Sequence, residues 1–153
     1  METLSATHAA MSDTGERLDA GALGLPTAGV AVVYDGLCPL CSAYTRALRI
    51  RREFGALQLI DARERPDLVA AFRAIGRDLD EGFACAVDGA VYCGADAVNV
   101  LALVSTGSRV VNRLNAAIFR SPRASRLLYP AMRAVRNALL RVRGVDRLDA
   151  LDR

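Results

Sequence analysis

The sequence lacks Lys and Trp altogether and contains a single His, His8. Because His8 stands in a polar segment at the start of the chain, away from every other motif, it offers no partner to a nucleophilic cysteine. This argues against cysteine-protease and acyl-transfer mechanisms. Aromatic residues make up only 5% of the chain, so a platform that stacks on nucleic-acid bases is not expected.

Long apolar runs are also missing. No stretch reaches the roughly 18 apolar residues that a membrane-spanning helix needs, and residues 1–28 lack the basic start and apolar core of a secretory signal. We therefore expect a cytoplasmic protein with a disordered N-terminal tail over residues 1–28. In a reducing cytoplasm, a closely spaced cysteine pair is more often catalytic or metal-binding than structural.

The 153 residues are enough for one domain, and 52% of them are apolar, which allows a sizeable core. The order of the predicted elements is typical of an α/β sheet with flanking helices, placed over residues 29–106. A helical extension follows over residues 107–146, and a short tail over 147–153. The predicted elements are strands 30–34 and 57–60, helices 39–54, 66–75 and 97–104, a hairpin over 83–93 that turns at Asp88-Gly89, and amphipathic helices 110–118 and 128–142.

Charge is distributed unevenly along the chain. Residues 1–104 hold 9 Arg and 14 acidic residues, whereas residues 105–153 hold 11 Arg and 3 acidic residues. The basic helices could form a solvated face, a surface for acidic partners, or a contact with a membrane surface. We favour packing on the core with Arg toward solvent, because a helix that packs on a sheet shows the same amphipathic pattern.

Two cysteines stand where the first strand leads into the first helix, in the run Cys38-Pro39-Leu40-Cys41. A separation of three residues on a helix puts both thiols on one face, close enough for a small disulfide ring. The helix N-terminus favours the thiolate of Cys38, and Pro39 fits the first helical position. We expect Cys38 to attack a substrate disulfide and Cys41, as the more buried thiol, to resolve the mixed disulfide.

Asp35 precedes Cys38 by three residues and is open to two interpretations. As a catalytic group, it would accept or relay the proton that Cys41 must lose. As a structural group, its carboxylate would cap the turn or the helix, a frequent task for Asp-Gly before a helix.

The run Tyr34-Asp35-Gly36-Leu37-Cys38-Pro39-Leu40-Cys41 resembles the DCC family of thiol–disulfide oxidoreductases, whose signature is Asp-Gly-x-Cys-x-x-Cys. The resemblance extends from about Val30 to Gly144. It implies a thioredoxin-like fold with a redox-active cysteine pair, in which Cys38 is the nucleophile and Cys41 the resolving thiol. The remaining residues of the run that would support the motif are Tyr34, Gly36 and Pro39. Thioredoxins place a Pro before the third strand, against the cysteine pair, whereas this chain has Gly82-Phe83 there.

The expected reaction is dithiol–disulfide exchange, which needs no organic cofactor and no metal. The expected partners are a protein or small-molecule disulfide and an electron donor, with no nucleic acid. A rival interpretation keeps the same thiols but makes the protein a non-catalytic module that binds a metal or docks a partner. Cys85 and Cys93 lie on either side of the predicted turn, with Cys85 opposite Tyr92, so their side chains should point to opposite faces and behave as core residues.

Overall fold

The computed structural model describes residues 18–106, 113 and 117–148. Its centre is a five-stranded sheet in the order β1-β5-β4-β2-β3. Strands β2 and β3 run parallel, and the other neighbouring pairs are antiparallel. The strands are β1 (Leu18–Asp19), β2 (Val30–Tyr34), β3 (Leu57–Asp61), β4 (Ala84–Val87) and β5 (Ala90–Cys93).

Helices cover both faces of the sheet, as the alternation of side chains along β2 requires. Val33 packs in one cluster with Phe72 of the second helix, whereas Val32 packs in the other with Leu48 and Leu101. This arrangement confirms the predicted α/β, thioredoxin-like fold. The helices are α1 (Pro39–Ala47), α2 (Pro66–Ala74), α3 (Gly94–Val104) and α4 (Pro122–Val142).

The predicted hairpin is confirmed at β4 and β5. Asp88 and Gly89 both have positive φ, 45° and 86°, as a tight primed turn requires. Cys85 pairs with Tyr92 and Cys93 pairs with Ala84, so the two cysteines point to opposite faces as expected.

The helix predicted over residues 39–54 is too long, because α1 ends at Ala47. Leu48 is extended and buried. The next residues bond to the end of α3 instead of to α1: Arg51 donates its N–H to the Val104 carbonyl, and Ile50 pairs with Ser105. These tertiary hydrogen bonds replace those that a longer helix would have made.

The disordered tail predicted over residues 1–28 is wrong for residues 18–28. Strand β1 pairs with β5 and so covers one edge of the sheet. Ala20, Leu23 and Leu25 are buried in the core, which explains why the segment is ordered. Residues 1–17 lie outside the described part of the chain.

The C-terminal region also differs from the expectation. Helix α4 begins earlier than predicted, at Pro122, and continues through Pro130. Leu148 is 1% exposed and its N–H donates to Asp80 Oδ1, so the tail predicted over 147–153 is wrong at this residue. Most of the helix predicted over 110–118 lies outside the described residues. None of the described helices is long and apolar enough to cross a membrane.

Candidate active site

The cysteine pair lies at the N-terminus of α1, directly after β2. Cys38 is the N-cap residue, and its Sγ accepts the backbone N–H of Cys41 at 3.3 Å. Pro39 occupies the first helical turn, where its missing N–H removes no helical hydrogen bond. The Asp35 carbonyl accepts the N–H of Cys38 at 3.1 Å, so a tight turn fixes the thiol at the start of the helix.

This placement separates the acidities of the two thiols. The pKa of Cys38 is lowered to about 6, first by the hydrogen bond from the Cys41 side chain and, against the effect of burial, by the Cys41 N–H and the charge of Arg136. The pKa of Cys41 is raised, because its thiol donates to Cys38 and is itself partly withdrawn from solvent. At neutral pH the arrangement favours one thiolate, at Cys38, and one thiol, at Cys41.

The solvent exposure of the two thiols is the reverse of the expectation. Cys38 is fully buried, with 0% exposure, whereas Cys41 is half-buried. In terms of solvent exposure, the prediction that Cys41 is the more buried thiol is therefore wrong. The reason is that Cys38 turns inward to cap α1, while Cys41 faces a small slot on the surface.

The Asp35 carboxylate is buried, at 3% exposure, and is held by two guanidinium groups. Arg63 forms a bidentate ion pair with it, at 2.7 Å from Nε to Oδ1 and 3.0 Å from Nη2 to Oδ2. Arg136 Nη2 donates to Oδ2 at 3.1 Å. Burial alone would raise the pKa of Asp35, but the Arg63 hydrogen bond and the nearby positive charges hold that pKa below its usual value.

Asp35 also caps the turn, because its Oδ1 accepts the N–H of Leu37 at 3.0 Å. Capping the turn is the structural role that the sequence offers for Asp35. A carboxylate that is already ionised and held by two cations is a weak proton acceptor. The geometry therefore favours the capping interpretation over proton relay.

Gly36 has a steric reason to be glycine. Its N–H donates to Asp61 Oδ1 at 3.0 Å, and a Cβ added to Gly36 would lie 1.7 Å from Asp61 Oδ2. Asp61 is brought to this point because it pairs with Tyr34 where the parallel strands β2 and β3 end. Tyr34 thus belongs to the strand end that supports the turn.

A small apolar slot of about 40 Å³ opens beside Cys41. Tyr129 of α4 packs against the Gly82-Phe83 segment at this slot. The Tyr129 hydroxyl accepts the N–H of Phe83 and lies so close to Gly82 that a Cβ there would clash. Thus α4 contributes side chains at the position where thioredoxins present a Pro. The slot is lined by Leu40, Cys41, Tyr44, Gly82, Phe83, Val98, Tyr129, Met132, Arg133 and Arg136.

Arg63 and Arg136 were not identified from the sequence. Each is one of 20 Arg residues, and Arg136 lies in a segment where basic residues were expected to face solvent. The amphipathic pattern of the helix gives one indirect indication that Arg136 is buried and paired. A charged residue on the core-facing side of a helix needs a buried partner.

The other two cysteines are separate from this site. Cys85 is buried and its thiol donates to the Ala97 carbonyl at 3.7 Å. Burial raises the pKa of both thiols, that of Cys93 to about 11. Among the described residues, no group of three or more His, Cys, Asp or Glu side chains could hold a metal ion.

The family model described as DCC1-like thiol-disulfide oxidoreductase matches residues 32–142. The matched range includes the cysteine pair, the last three residues of β2, strands β3 to β5 and all of α4. No curated protein and no solved structure matches the chain.

Proposed function

The chain belongs to the DCC1-like thiol-disulfide oxidoreductase family, and on this basis we propose that it reduces disulfides, with Cys38 as the attacking thiolate and Cys41 as the resolving thiol. The observation that carries the proposal is the position of the Cys38 Sγ at the helix N-cap. There it accepts the Cys41 N–H at 3.3 Å. A thiolate at this point is stabilised by the helix N-terminus, and the thiolate is the form that attacks disulfides.

The reaction proceeds by two exchanges. The Cys38 thiolate attacks one sulfur of the substrate disulfide, the S–S bond breaks, and the other substrate sulfur leaves as a thiolate. Cys41 then loses its proton to that thiolate and attacks the Cys38 sulfur. The second substrate thiolate leaves, and a Cys38–Cys41 disulfide remains. The two electrons come from the protein dithiol, and an external thiol or dithiol donor restores it.

Access to Cys38 requires side chains to move, because its sulfur is buried in the reduced protein. Leu37 and Leu40 flank the pair and are 51% and 38% exposed. These apolar side chains would contact the residues beside a substrate disulfide. A protein disulfide in a reducing cytoplasm is the substrate that we propose, with a small-molecule disulfide as the second choice.

Trapping the mixed disulfide tests the proposal. Cys41→Ser should accumulate an adduct between Cys38 and a model peptide disulfide, because the resolving thiol is missing. Cys38→Ser should form no such adduct, and only the wild-type protein should turn over in the presence of dithiothreitol. Accumulation of an adduct at Cys41 in the Cys38→Ser protein, with none at Cys38 in the Cys41→Ser protein, would reverse the assigned roles.

The metal-binding or docking module remains the alternative. Stoichiometric zinc in freshly purified protein, lost on Cys38→Ser or Cys41→Ser, would favour it. A metal-free protein that cycles between dithiol and disulfide would favour the enzyme.

Contact with a membrane surface stays the less favoured prediction for the basic helices. Helix α4 buries Ser125, Arg136 and Leu140, yet Val135 and Val142 are exposed. Flotation with vesicles that contain anionic lipid tests this contact.

A further inference from the structure

The buried guanidinium of Arg136 connects the C-terminal helix to the turn that carries the thiols. Arg136 is 5% exposed, which is unusual for Arg unless its charge is paired. Its Nη2 donates to Asp35 Oδ2, and its Nη1 donates to the Asp80 carbonyl and to Asn137 Oδ1. Hydrogen bonds therefore hold both terminal nitrogens of the guanidinium group in place.

Asp35 in turn connects Arg136 to the thiol pair. Its carboxylate accepts the N–H of Leu37, and its carbonyl accepts the N–H of Cys38. Arg136 also lines the slot beside Cys41. The contact between Arg136 and Asp35 spans 101 residues of sequence, so an ion pair joins α4 to the turn that precedes α1.

We propose that Arg136 is a positioning residue for the thiol pair: it holds the Asp35 turn and places a buried positive charge near Cys38. The C-terminal helix then completes the active site and is more than an attached extension. This inference rests on the proposed function, because it assigns Arg136 a role in that same exchange reaction.

The charges around Cys38 make the direction of the effect clear. Cys41 acts on Cys38 from α1 and Arg136 acts on it from α4. Asp35 accepts the N–H of Cys38 from the preceding turn, and its charge acts on Cys41. Arg63 binds both carboxylate oxygens of Asp35. The charges of Asp61 and Asp80 also act on Arg63. An unbalanced Asp35 carboxylate would oppose a thiolate at Cys38, and the two guanidinium groups prevent this.

The test compares the pKa of Cys38 in Arg136→Met and Arg136→Lys. This pKa is measured from the alkylation of Cys38, which mass spectrometry detects. The Met variant removes the charge at similar length, so the pKa of Cys38 should rise by about one unit and the alkylation rate at pH 5 should fall about tenfold. The Lys variant keeps the charge and should stay close to wild type. The matched control is Arg126→Met, which removes a charge on the same helix from a side chain that is 55% exposed and does not line the slot, and which should leave the pKa nearly unchanged.

An unchanged pKa in Arg136→Met, or a failure of Arg136→Lys to restore it, would overturn the inference. If Arg136→Met does not fold, Asp35→Asn/Arg136→Met is compared with Asp35→Asn. The double variant leaves no carboxylate without its partner, and it should still show the higher pKa at Cys38. An ordinary pKa in the wild-type protein would instead count against the proposed function, so the two failures are distinguishable.

Discussion

Arg63 and Asp35 form a bidentate, largely buried ion pair, with 2.7 Å between Arg63 Nε and Asp35 Oδ1. Arg63 lies in a short 3₁₀ turn after β3, whereas Asp35 lies in the turn after β2. Because β2 and β3 are parallel neighbours, both turns project from the same edge of the sheet. The pair therefore locks together the two turns that surround the start of α1.

Asp35→Asn should destabilise the protein by about 3–5 kcal/mol at neutral pH, since it leaves the buried Arg136 and the partly buried Arg63 without their carboxylate. The pKa of Asp35 is lower in the folded than in the unfolded protein. The carboxylate's contribution is thus complete above the unfolded pKa of about 3.8 and is lost as the pH falls through the folded pKa. Urea unfolding of the wild-type and Asp35→Asn proteins at pH 7 and pH 3 measures this contribution to the free energy of unfolding.

The matched control for this prediction is Asp67→Asn. Asp67 forms an equally short ion pair with Arg65, but that pair is on the surface. The free energy of unfolding should change far less, because exposed pairs are screened by solvent. Equal losses in the two variants would contradict the importance assigned to burial at Asp35.

Gly36→Ala should damage both stability and the thiol site. Its Cβ would displace the Asp61 carboxylate and so shift the turn that positions Cys38, at a cost of about 1–3 kcal/mol. Gly76→Ala is the comparison: Gly76 has φ +73° and open space around it, so backbone strain alone costs about 1–2 kcal/mol. Only Gly36→Ala should alter the pKa of Cys38 when alkylation is followed at several pH values.

Cys85 and Cys93 should take no part in the reaction. Burial raises the pKa of both thiols, so iodoacetamide at pH 7 should leave them largely unmodified. The variant Cys85→Ala/Cys93→Ala should keep disulfide reduction near the wild-type rate. Loss of turnover in a folded double variant, or a Cys85–Cys93 disulfide found by peptide mapping, would show that a second redox pair had been overlooked.

The sequence predicts the features that depend on local chemistry. The β-branched run of β2, the Asp88-Gly89 turn and the Cys38–Pro39 helix start are each determined by a few neighbouring residues. The length of α1 was overestimated, because its helical pattern continues past Ala47 while hydrogen bonds to α3 redirect the chain. Local propensity contains no information on those distant bonds.

The charged part of the site was beyond prediction for the same reason. Asp35 meets Arg63 and Arg136 across 28 and 101 residues of sequence. Composition offers many Arg residues as partners, and nothing in the spacing distinguishes the one that the fold buries. The exposure of the two thiols was also predicted wrongly, because it depends on how Cys38 turns to cap the helix.

The most direct test of the account is the pH dependence of iodoacetamide alkylation at Cys38 in the wild-type protein. Mass spectrometry separates this cysteine from the other three, and Cys38→Ser and Cys41→Ser serve as controls. The midpoint, rather than the absolute rate, is compared, because burial slows the reagent. We predict a midpoint near pH 6, as the lowered pKa of Cys38 requires. A midpoint at or above about 8.5, the ordinary pKa of a cysteine thiol, would contradict an activated thiolate at the helix N-terminus.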